Sequence, residues 1–471
     1  MPRFRPLLAF VLLLPTFLLA QAPASPLVLP ETPVGKAVAL FVKALNSGSR
    51  AELEKFHTDR GGDAENAGPD LEFAEQSGGI DLARVITATD HRIEIEAKTR
   101  KTARAVVLLF AVEPTPPHAV ADVGVRPLRP AGAGGPREGE EGAPPAPRPV
   151  ETVLAEAPAV VDRAIADGFS GTVLLARDGK VVLERASGLA NRSFAVKNRM
   201  DTRFNLGSIN KTFTKLAVAQ LMEAGKLSLD DRLGKILPDF PNTEAAEKVT
   251  VAHLIEMKSG LGDFFGPEFN AVSKARIRTL ADYLPFFAKK PLAFEPGAGE
   301  AYSNGGYVTL GLIIEKVTGQ SYHDYVRDHI FKPAGMSDTD AFELDAPTPN
   351  LAVGYTRRGV SNIFTLPARG SSAGGGYSTA PDLLKYAEAV MADRLTSAPY
   401  TAWYLGGPRP DAAPATSAPP PQGGSLGVAG GSPGVNAVFT LNRAQRMVLV
   451  VLTNEDAPAA EELARKIRQG R

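Results

Sequence analysis

A serine and a lysine stand three residues apart at the start of an apolar helical pattern. Ser208 and Lys211 open the segment NLGSINKTFTKLAVAQLMEAGK (205–226), whose apolar residues recur at helical spacing until Gly225. This spacing places both side chains on one face of the first turn. The positive end of the helix and burial both disfavour an ammonium group, which makes a lysine there easier to deprotonate. Lys211 can then accept the proton of Ser208 and activate it as a nucleophile.

The same spacing has a simpler explanation, in which a serine caps the helix and a lysine one turn on faces solvent. A second segment favours the catalytic interpretation. Tyr302 and Asn304 lie in a polar, glycine-containing turn just before an apolar helix predicted from about Tyr307 to Val317. Such a turn can project into a cleft a phenol that relays protons to a leaving group and an amide that holds a substrate amide.

The two motifs, with others in the same order, resemble the serine β-lactamase and penicillin-binding protein superfamily. The Tyr-x-Asn form is similar to its class C β-lactamase branch, with the related D-alanyl-D-alanine peptidases, D-aminopeptidases and esterases. The resemblance implies that Ser208 is the nucleophile, Lys211 the base, Tyr302 the proton relay and Asn304 a substrate-binding residue. It spans about residues 152–471 through the segments RFNLGSINKTFT, LMEAGKLSLDDRL, VTVAHLIEMKSGL, YSNGGYVTLGLIIEKVTG, IFKPAGMSDTD, AGGGYSTAPDLLKYAEAVM and GGSPGVNAVF.

The third motif of that superfamily, a strand bearing Lys-Thr-Gly or His-x-Gly, falls here on the segment VAG (428–430). The resemblance implies that Gly430 contributes to substrate binding. It also implies an oxyanion hole formed by the backbone N–H groups of Ser208 and Gly431, which needs no side chain.

Three features depart from the superfamily pattern. Val428 replaces the basic residue of the third motif, and Met257 stands where many relatives have a histidine. The strand before the third motif is hard to recognise within the Pro- and Ala-rich segment 406–424. These departures place efficient turnover in question, but not the fold.

The pattern of elements predicts an α+β protein, and the resemblance implies a β-lactamase-like fold for its main domain (152–471). Strand-like runs on both sides of Asp178-Gly179 predict a hairpin near the start of this domain, and NAVFTLNRAQRMVLVVLTN predicts another near its end. An antiparallel sheet built from both ends of the domain, with helices on its faces and an inserted helical part, satisfies this order.

A smaller α+β domain is predicted over residues 31–128. Two helices fall within its beginning, and its element order gives a weak resemblance to nuclear-transport-factor-2-like domains. Three strands follow the helices, at 92–98, 103–113 and 118–128.

Residues 1–22 combine two arginines, a short apolar run and a small-residue cleavage site, which predicts a secretory signal peptide. Residues 129–151 are rich in Pro, Gly and Ala and predict a linker, and 406–424 predicts a loop within the last domain. We therefore expect an exported protein, periplasmic or extracellular, with no integral membrane span after signal removal.

Other chemistries fit the sequence less well. The chain has no cysteine, which excludes disulfides and a cysteine nucleophile. Its 52 basic residues balance 52 acidic ones, which argues against nucleic acid as a partner. Its six histidines never pair at helical i, i+4 spacing with a carboxylate, so we expect neither metal nor cofactor. The segment GSSAG (370–374) fits the nucleophile elbow of α/β-hydrolases, but the last histidine, His329, precedes it, whereas that triad requires a later one.

The sequence thus predicts a serine hydrolase that acts on an amide or ester in a small molecule or peptide. An alternative is a catalytically weak module that binds peptidoglycan peptides, which Val428 favours. A further alternative is that the N-terminal domain determines function by recruiting a partner. The sequence leaves the substrate and the oligomeric state open.

Overall fold

A computed structural model describes residues 27–62, 64–113, 116–127, 148–410 and 424–470. The predicted signal peptide, most of the predicted linker and most of the predicted loop 406–424 lie outside these residues. The chain divides into two compact units, Met1–Pro144 and Pro145–Arg471. No helix within the described residues is both long enough and apolar enough to span a membrane.

The first unit contains three helices followed by a four-stranded antiparallel meander, in the order β1-β2-β3-β4. Its elements are α1 (Pro33–Ser47), α2 (Arg50–Thr58), α3 (Ala67–Ser77), β1 (Ile80–Ala88), β2 (Arg92–Thr99), β3 (Ala105–Val112) and β4 (Val120–Pro127). The two helices and three strands predicted here are present, whereas α3 and β1 escaped the sequence pattern. Two irregularities in the pairing of β1 with β2 interrupt the alternation of apolar residues that identifies a strand.

The second unit contains most of the helices, joined by short turns. Its helices are α4 (Val150–Ala166), α5 (Asn210–Glu223), α6 (Leu233–Ile236), α7 (Thr243–Lys248), α8 (Val251–Ile255), α9 (Pro267–Ala271), α10 (Leu284–Phe287), α11 (Asn304–Thr318), α12 (Tyr322–Val326), α13 (Lys332–Ala334), α14 (Ala380–Met391), α15 (Ala398–Tyr404) and α16 (Ala459–Gln469). Its strands are β5 (Gly171–Arg177), β6 (Lys180–Ser187), β7 (Leu189–Asn191), β8 (Val196–Lys197), β9 (Phe204–Asn205), β10 (Tyr377–Ser378), β11 (Ser425–Ser432), β12 (Val435–Asn442) and β13 (Met447–Thr453).

Five strands of the second unit form one antiparallel sheet in the order β11-β12-β13-β5-β6. Strands β5 and β6 come from the start of the unit and β11 to β13 from its end, which confirms the predicted sheet. The turn between β5 and β6 holds Asp178 and Gly179 at φ values of +52° and +73°, as the predicted two-residue hairpin requires. Strand β11, which carries the third motif, forms one edge of the sheet.

Helices cover both faces of this sheet. Because successive side chains of a strand point to opposite faces, Val438 of β12 joins the apolar cluster beneath α4 and α16. The next residue, Phe439, joins the larger cluster that includes Phe213 of α5 and Tyr386 of α14. Helix α5 is thereby held by a buried core, with its N-terminal end beside the edge strand β11.

Candidate active site

Ser208 lies in a short 3₁₀ turn, Gly207–Ile209, that leads directly into α5. Gly207 has φ +49°, a conformation that side chains other than glycine's rarely adopt. The turn therefore places Ser208 at the amino end of the helix, as the sequence predicts. Its hydroxyl lies within hydrogen-bond distance of both Lys211 and Tyr302.

Strand β11 passes against this turn so closely that only glycine fits at the contact. A Cβ atom on Gly430 would lie 2.0 Å from the carbonyl oxygen of Leu206 and 2.9 Å from the backbone nitrogen of Ser208. A Cβ atom on Gly207 would lie 2.8 Å from the backbone nitrogen of Gly431. The backbone amides of Ser208 and Gly431 are thus brought close to each other.

The amine of Lys211 is buried and contacts three oxygen atoms. Its Nζ lies 3.1 Å from Ser208 Oγ, 2.6 Å from Asn304 Oδ1 and 2.6 Å from the carbonyl oxygen of Ala373. The last two oxygens can only accept hydrogen bonds. When Lys211 is neutral, its two N–H groups serve these acceptors and its lone pair is left for the hydroxyl of Ser208. The contacts therefore accommodate the proton-accepting form of the lysine.

The pKa of Lys211 supports the same protonation state. Burial lowers this pKa to about 7, and the carboxylate of Asp263 acts in the opposite direction by favouring the charged form. A substantial fraction of Lys211 is therefore neutral near pH 7.

From the start of α11, Tyr302 reaches Ser208 and Asn304 reaches Lys211. Ser303 between them caps this helix, with its Oγ accepting a hydrogen bond of 2.8 Å from the backbone N–H of Gly306. The phenol oxygen of Tyr302 lies 2.5 Å from Ser208 Oγ, and 57% of the residue is exposed. The predicted site residues Ser208, Lys211, Tyr302 and Asn304 thus form one connected group.

Asp263 also belongs to this group, although no sequence motif indicates it. Its Oδ2 accepts a hydrogen bond of 2.6 Å from Asn304 Nδ2, which orients the amide so that Oδ1 faces Lys211. Asp263 follows a glycine-containing turn after α8, and no motif relates it to Ser208 by a fixed number of residues. The carbonyl of Ala373 was also missed, because a backbone acceptor leaves no signal in residue types.

Two of the three departures from the superfamily pattern, Val428 and Met257, lie near the group. Val428 is partly buried and packs against the large apolar cluster. The sulfur of Met257 lies 3.4 Å from the backbone nitrogen of Ser303, next to Tyr302. Position 428 therefore holds an aliphatic side chain that packs against the core.

Ser372 and His253 form hydrogen bonds to backbone groups outside the Ser208 group. Ser372, in the segment that fits a nucleophile elbow, is fully buried and donates a hydrogen bond of 2.8 Å to the carbonyl oxygen of Tyr307. The ring of His253 caps the start of α8 through the backbone N–H of Thr250. Across the described parts of the chain, no three His, Asp or Glu side chains come together as a metal site would need.

Known proteins resemble this chain in sequence and in fold. The Beta-lactamase family model matches residues 159–470. Penicillin-binding protein 4* of Bacillus subtilis (strain 168) is 34% identical over 204 residues, which are 42% of this chain and 44% of that protein. A second relative from B. subtilis, putative penicillin-binding protein PbpX, is 31% identical over 49% of this chain and 57% of its own length. The chain thus spans about half the length of these curated relatives.

A solved structure supports the fold assignment. The penicillin-binding protein of Bacillus halodurans superposes with a TM-score of 0.58 at 29% sequence identity, over 67% of this chain and 99% of that one. The family model covers more than half of the sequence and includes every residue of the site. The chain therefore belongs to the Beta-lactamase family.

Proposed function

We propose that this protein is an exported serine hydrolase that cleaves an amide or ester through a covalent acyl-enzyme on Ser208. The contact set of Lys211 carries this proposal, because two obligate acceptors occupy its N–H groups and leave its lone pair to the serine. A lysine that only capped a helix or faced solvent would not be buried among these partners.

In the first step, Lys211 Nζ takes the hydroxyl proton of Ser208 while Ser208 Oγ bonds to the carbonyl carbon of the substrate. The carbonyl π electrons move to its oxygen, which becomes an oxyanion. The N–H groups of Ser208 and Gly431 would stabilise this charge, and the close approach of the two backbone segments supports this role. Their contribution does not depend on the residue at position 428.

Collapse of the tetrahedral intermediate expels the leaving amine or alcohol, which needs a proton. The phenol of Tyr302 contacts Ser208 Oγ and can deliver that proton, with the ammonium of Lys211 restoring it. Water then attacks the carbonyl carbon of the acyl-enzyme and gives its proton to the neutral amine of Lys211. The intermediate collapses by breaking the bond to Ser208 Oγ, and the ammonium of Lys211 returns the proton to that oxygen. Release of the acid regenerates Ser208.

We further propose that the substrate is a small molecule or peptide without an essential carboxylate. Asn304 and the exposed edge strand β11 around Gly430 supply polar groups for an amide. Val428 supplies no charge or donor for an anionic group, where a charge-assisted hydrogen bond is worth roughly 1.5–3 kcal/mol. Neutral esters or amides should therefore be preferred over penicillins and peptides that end in a free D-alanine.

A second candidate function is binding of peptidoglycan peptides with little or no turnover. Val428 is the observation that favours it, since loss of a proton donor can slow deacylation as well as substrate binding. The two functions differ in the fate of the bound substrate. A binding module would remain an acyl-enzyme or an unmodified complex, whereas a hydrolase would release product repeatedly.

Export and modularity complete the proposal. The first 22 residues have the composition of a cleavable signal peptide, so the mature protein would act in the periplasm or outside the cell. The second unit contains the whole candidate site, so a fragment from Pro145 onward should fold and retain the hydrolytic activity. The N-terminal unit would then serve another role, such as partner recruitment.

Mass spectrometry of the intact protein tests the central proposal. Exposure to a serine-reactive fluorophosphonate should add one adduct to the wild type and none to Ser208→Ala. Ser372→Ala is the matched control, because that serine is buried, and it should be labelled as the wild type is. An adduct that persists in Ser208→Ala would contradict the assignment. Turnover of a neutral chromogenic ester, measured in parallel, separates a hydrolase from a binding module.

A further inference from the structure

A buried amide lies behind the third motif. Asn436 of β12 is fully buried and stands opposite Gly431 of the edge strand β11. Its Nδ2 donates a hydrogen bond of 3.3 Å to the carbonyl oxygen of Gly430. Its Oδ1 accepts hydrogen bonds from the backbone N–H groups of Ala460, at 2.6 Å, and Glu461, at 3.4 Å. One side chain therefore connects β11 to the first turn of α16.

Helix α16 holds the amide in a fixed orientation. The first N–H groups of a helix have no partner within the helix, and Asn436 Oδ1 satisfies two of them. The positive end of the helix also favours the partial negative charge of this oxygen. Because Oδ1 is committed to the helix, Nδ2 must point toward β11.

The carbonyl that Nδ2 contacts belongs to the peptide group whose N–H, that of Gly431, contributes to the proposed oxyanion hole. The C=O of Gly430 and the N–H of Gly431 are parts of one planar trans peptide, so they point in opposite directions. Fixing the oxygen therefore fixes the direction of the N–H. This control matters here because two successive glycines restrict their backbone dihedrals less than other residues do.

The pairing of β11 with β12 constrains the Gly430–Gly431 peptide less than the pairing and the Asn436 hydrogen bond do together. A carbonyl oxygen has two lone pairs, and the pairing of β11 with β12 uses at most one of them. A second hydrogen bond at the Gly430 oxygen also polarises the peptide, which strengthens the Gly431 N–H as a donor.

We infer that Asn436 is a positioning residue for the reaction, which orients the Gly430–Gly431 peptide toward the oxyanion and anchors it to α16. This inference rests on the proposed acyl transfer at Ser208. It predicts that the loss of the Asn436 amide slows bond formation at Ser208 more than it destabilises the fold. A purely structural role would instead lower stability and leave the labelling rate of the folded protein unchanged.

The variant Asn436→Asp separates these roles. Its side chain can still accept from Ala460 and Glu461, so α16 keeps its cap, but once ionised it presents an oxygen rather than a donor to Gly430. Because burial raises the pKa of a carboxyl group, labelling is compared from pH 7 to pH 9, so that Asn436→Asp is also measured where ionisation is most favoured. Removal of an oxyanion donor costs about 100- to 1000-fold. For a donor that is present but poorly oriented, we expect at least about a 10-fold loss in the second-order rate of fluorophosphonate labelling. For ester hydrolysis the loss should appear in kcat rather than in KM.

Leu463→Ala is the matched control, since Leu463 of α16 is buried in the cluster beneath the sheet and does not contact Gly430. It should lower Tm and label at nearly the wild-type rate. Asn436→Ser, whose side chain is too short to bridge both partners, should behave as Asn436→Asp does and serves if the aspartate variant does not fold.

The outcomes distinguish this inference from the proposed function. Labelling of the wild type together with unchanged labelling of Asn436→Asp or Asn436→Ser would overturn the positioning role alone. An equal loss of rate in Leu463→Ala would also overturn it, because stability would then explain the effect. A wild type that is not labelled at Ser208 would overturn the proposed function and this inference with it.

Discussion

Asp263→Asn tests the electrostatics of the site with little change of shape. The asparagine oxygen can accept the hydrogen bond that Asn304 Nδ2 now donates to Asp263, so the amide should keep facing Lys211. The substitution removes one negative charge that favours the ammonium form of Lys211. We therefore expect the pKa of Lys211 to fall below its present value of about 7.

The size of the shift depends on the separation of the two charges. Only the amide of Asn304 lies between them, with contacts of 2.6 Å on each side. At about 7 Å and an effective dielectric constant of about 20, Coulomb's law gives about 2.4 kcal/mol. This energy corresponds to between about 1 and 2 pKa units. At pH 6, the neutral fraction of Lys211 should rise from about one tenth to about four fifths.

The assay is the pH dependence of kcat/KM for a neutral chromogenic ester. Activity should rise with pH as Lys211 loses its proton, and the midpoint of this rise should lie lower in Asp263→Asn than in the wild type. Asp239→Asn, which removes an exposed carboxylate, is the control and should leave the midpoint unchanged. A midpoint that stays in place or moves upward in Asp263→Asn would show that Lys211 is not the base.

Three further predictions concern other residues. Tyr302→Phe should slow hydrolysis of an anilide by about 100-fold but affect a p-nitrophenyl ester less, since nitrophenolate leaves without a proton; equal losses would contradict the relay role. Val428→His should raise kcat/KM for a chromogenic β-lactam more than for a neutral ester, and a wild type that already hydrolyses β-lactams efficiently would refute this. Burial lowers the pKa of Lys215 to about 8. Holding this lysine protonated in the fold therefore lowers the free energy of unfolding below pH 8. This loss disappears as the pH approaches about 10.4, the pKa of the lysine in the unfolded chain. Lys215→Met should therefore raise the free energy of unfolding at pH 7 by about 1–3 kcal/mol and by less at pH 10, whereas the exposed Lys226→Met should change neither.

The sequence predicted the fold where local signals and chain order agree. The Asp178-Gly179 turn, with alternating apolar residues on both sides, identified the hairpin of β5 and β6. Strand β11 was located only through the third motif, because its segment, SLGVAGGS, is dominated by small residues and gives little strand signal of its own. Those residues are required by the close approach of β11 to the turn around Ser208, which is a tertiary constraint that no local propensity reports.

The site was likewise predicted where local spacing brings its residues together and missed where only tertiary contacts do. Ser208 and Lys211 are neighbours on one helix, and Tyr302 and Asn304 belong to one turn, so spacing alone could pair them. Asp263 enters only through the side chain of Asn304, and its role depends on how two loops meet in three dimensions. Contacts of this kind have no fixed spacing in sequence.

The position of Val428 explains why the family is easier to predict than the substrate. The approach of β11 to Ser208 depends on the missing side chains of Gly207 and Gly430 and on backbone atoms, none of which involves residue 428. An aliphatic residue there packs against the core without disturbing this contact. In the proposed mechanism, the parts that would make and stabilise the acyl-enzyme are therefore separable from the part that would recognise substrate charge. We expect that a change at position 428 can redirect substrate choice while the Ser208–Lys211 and Tyr302–Asn304 motifs remain.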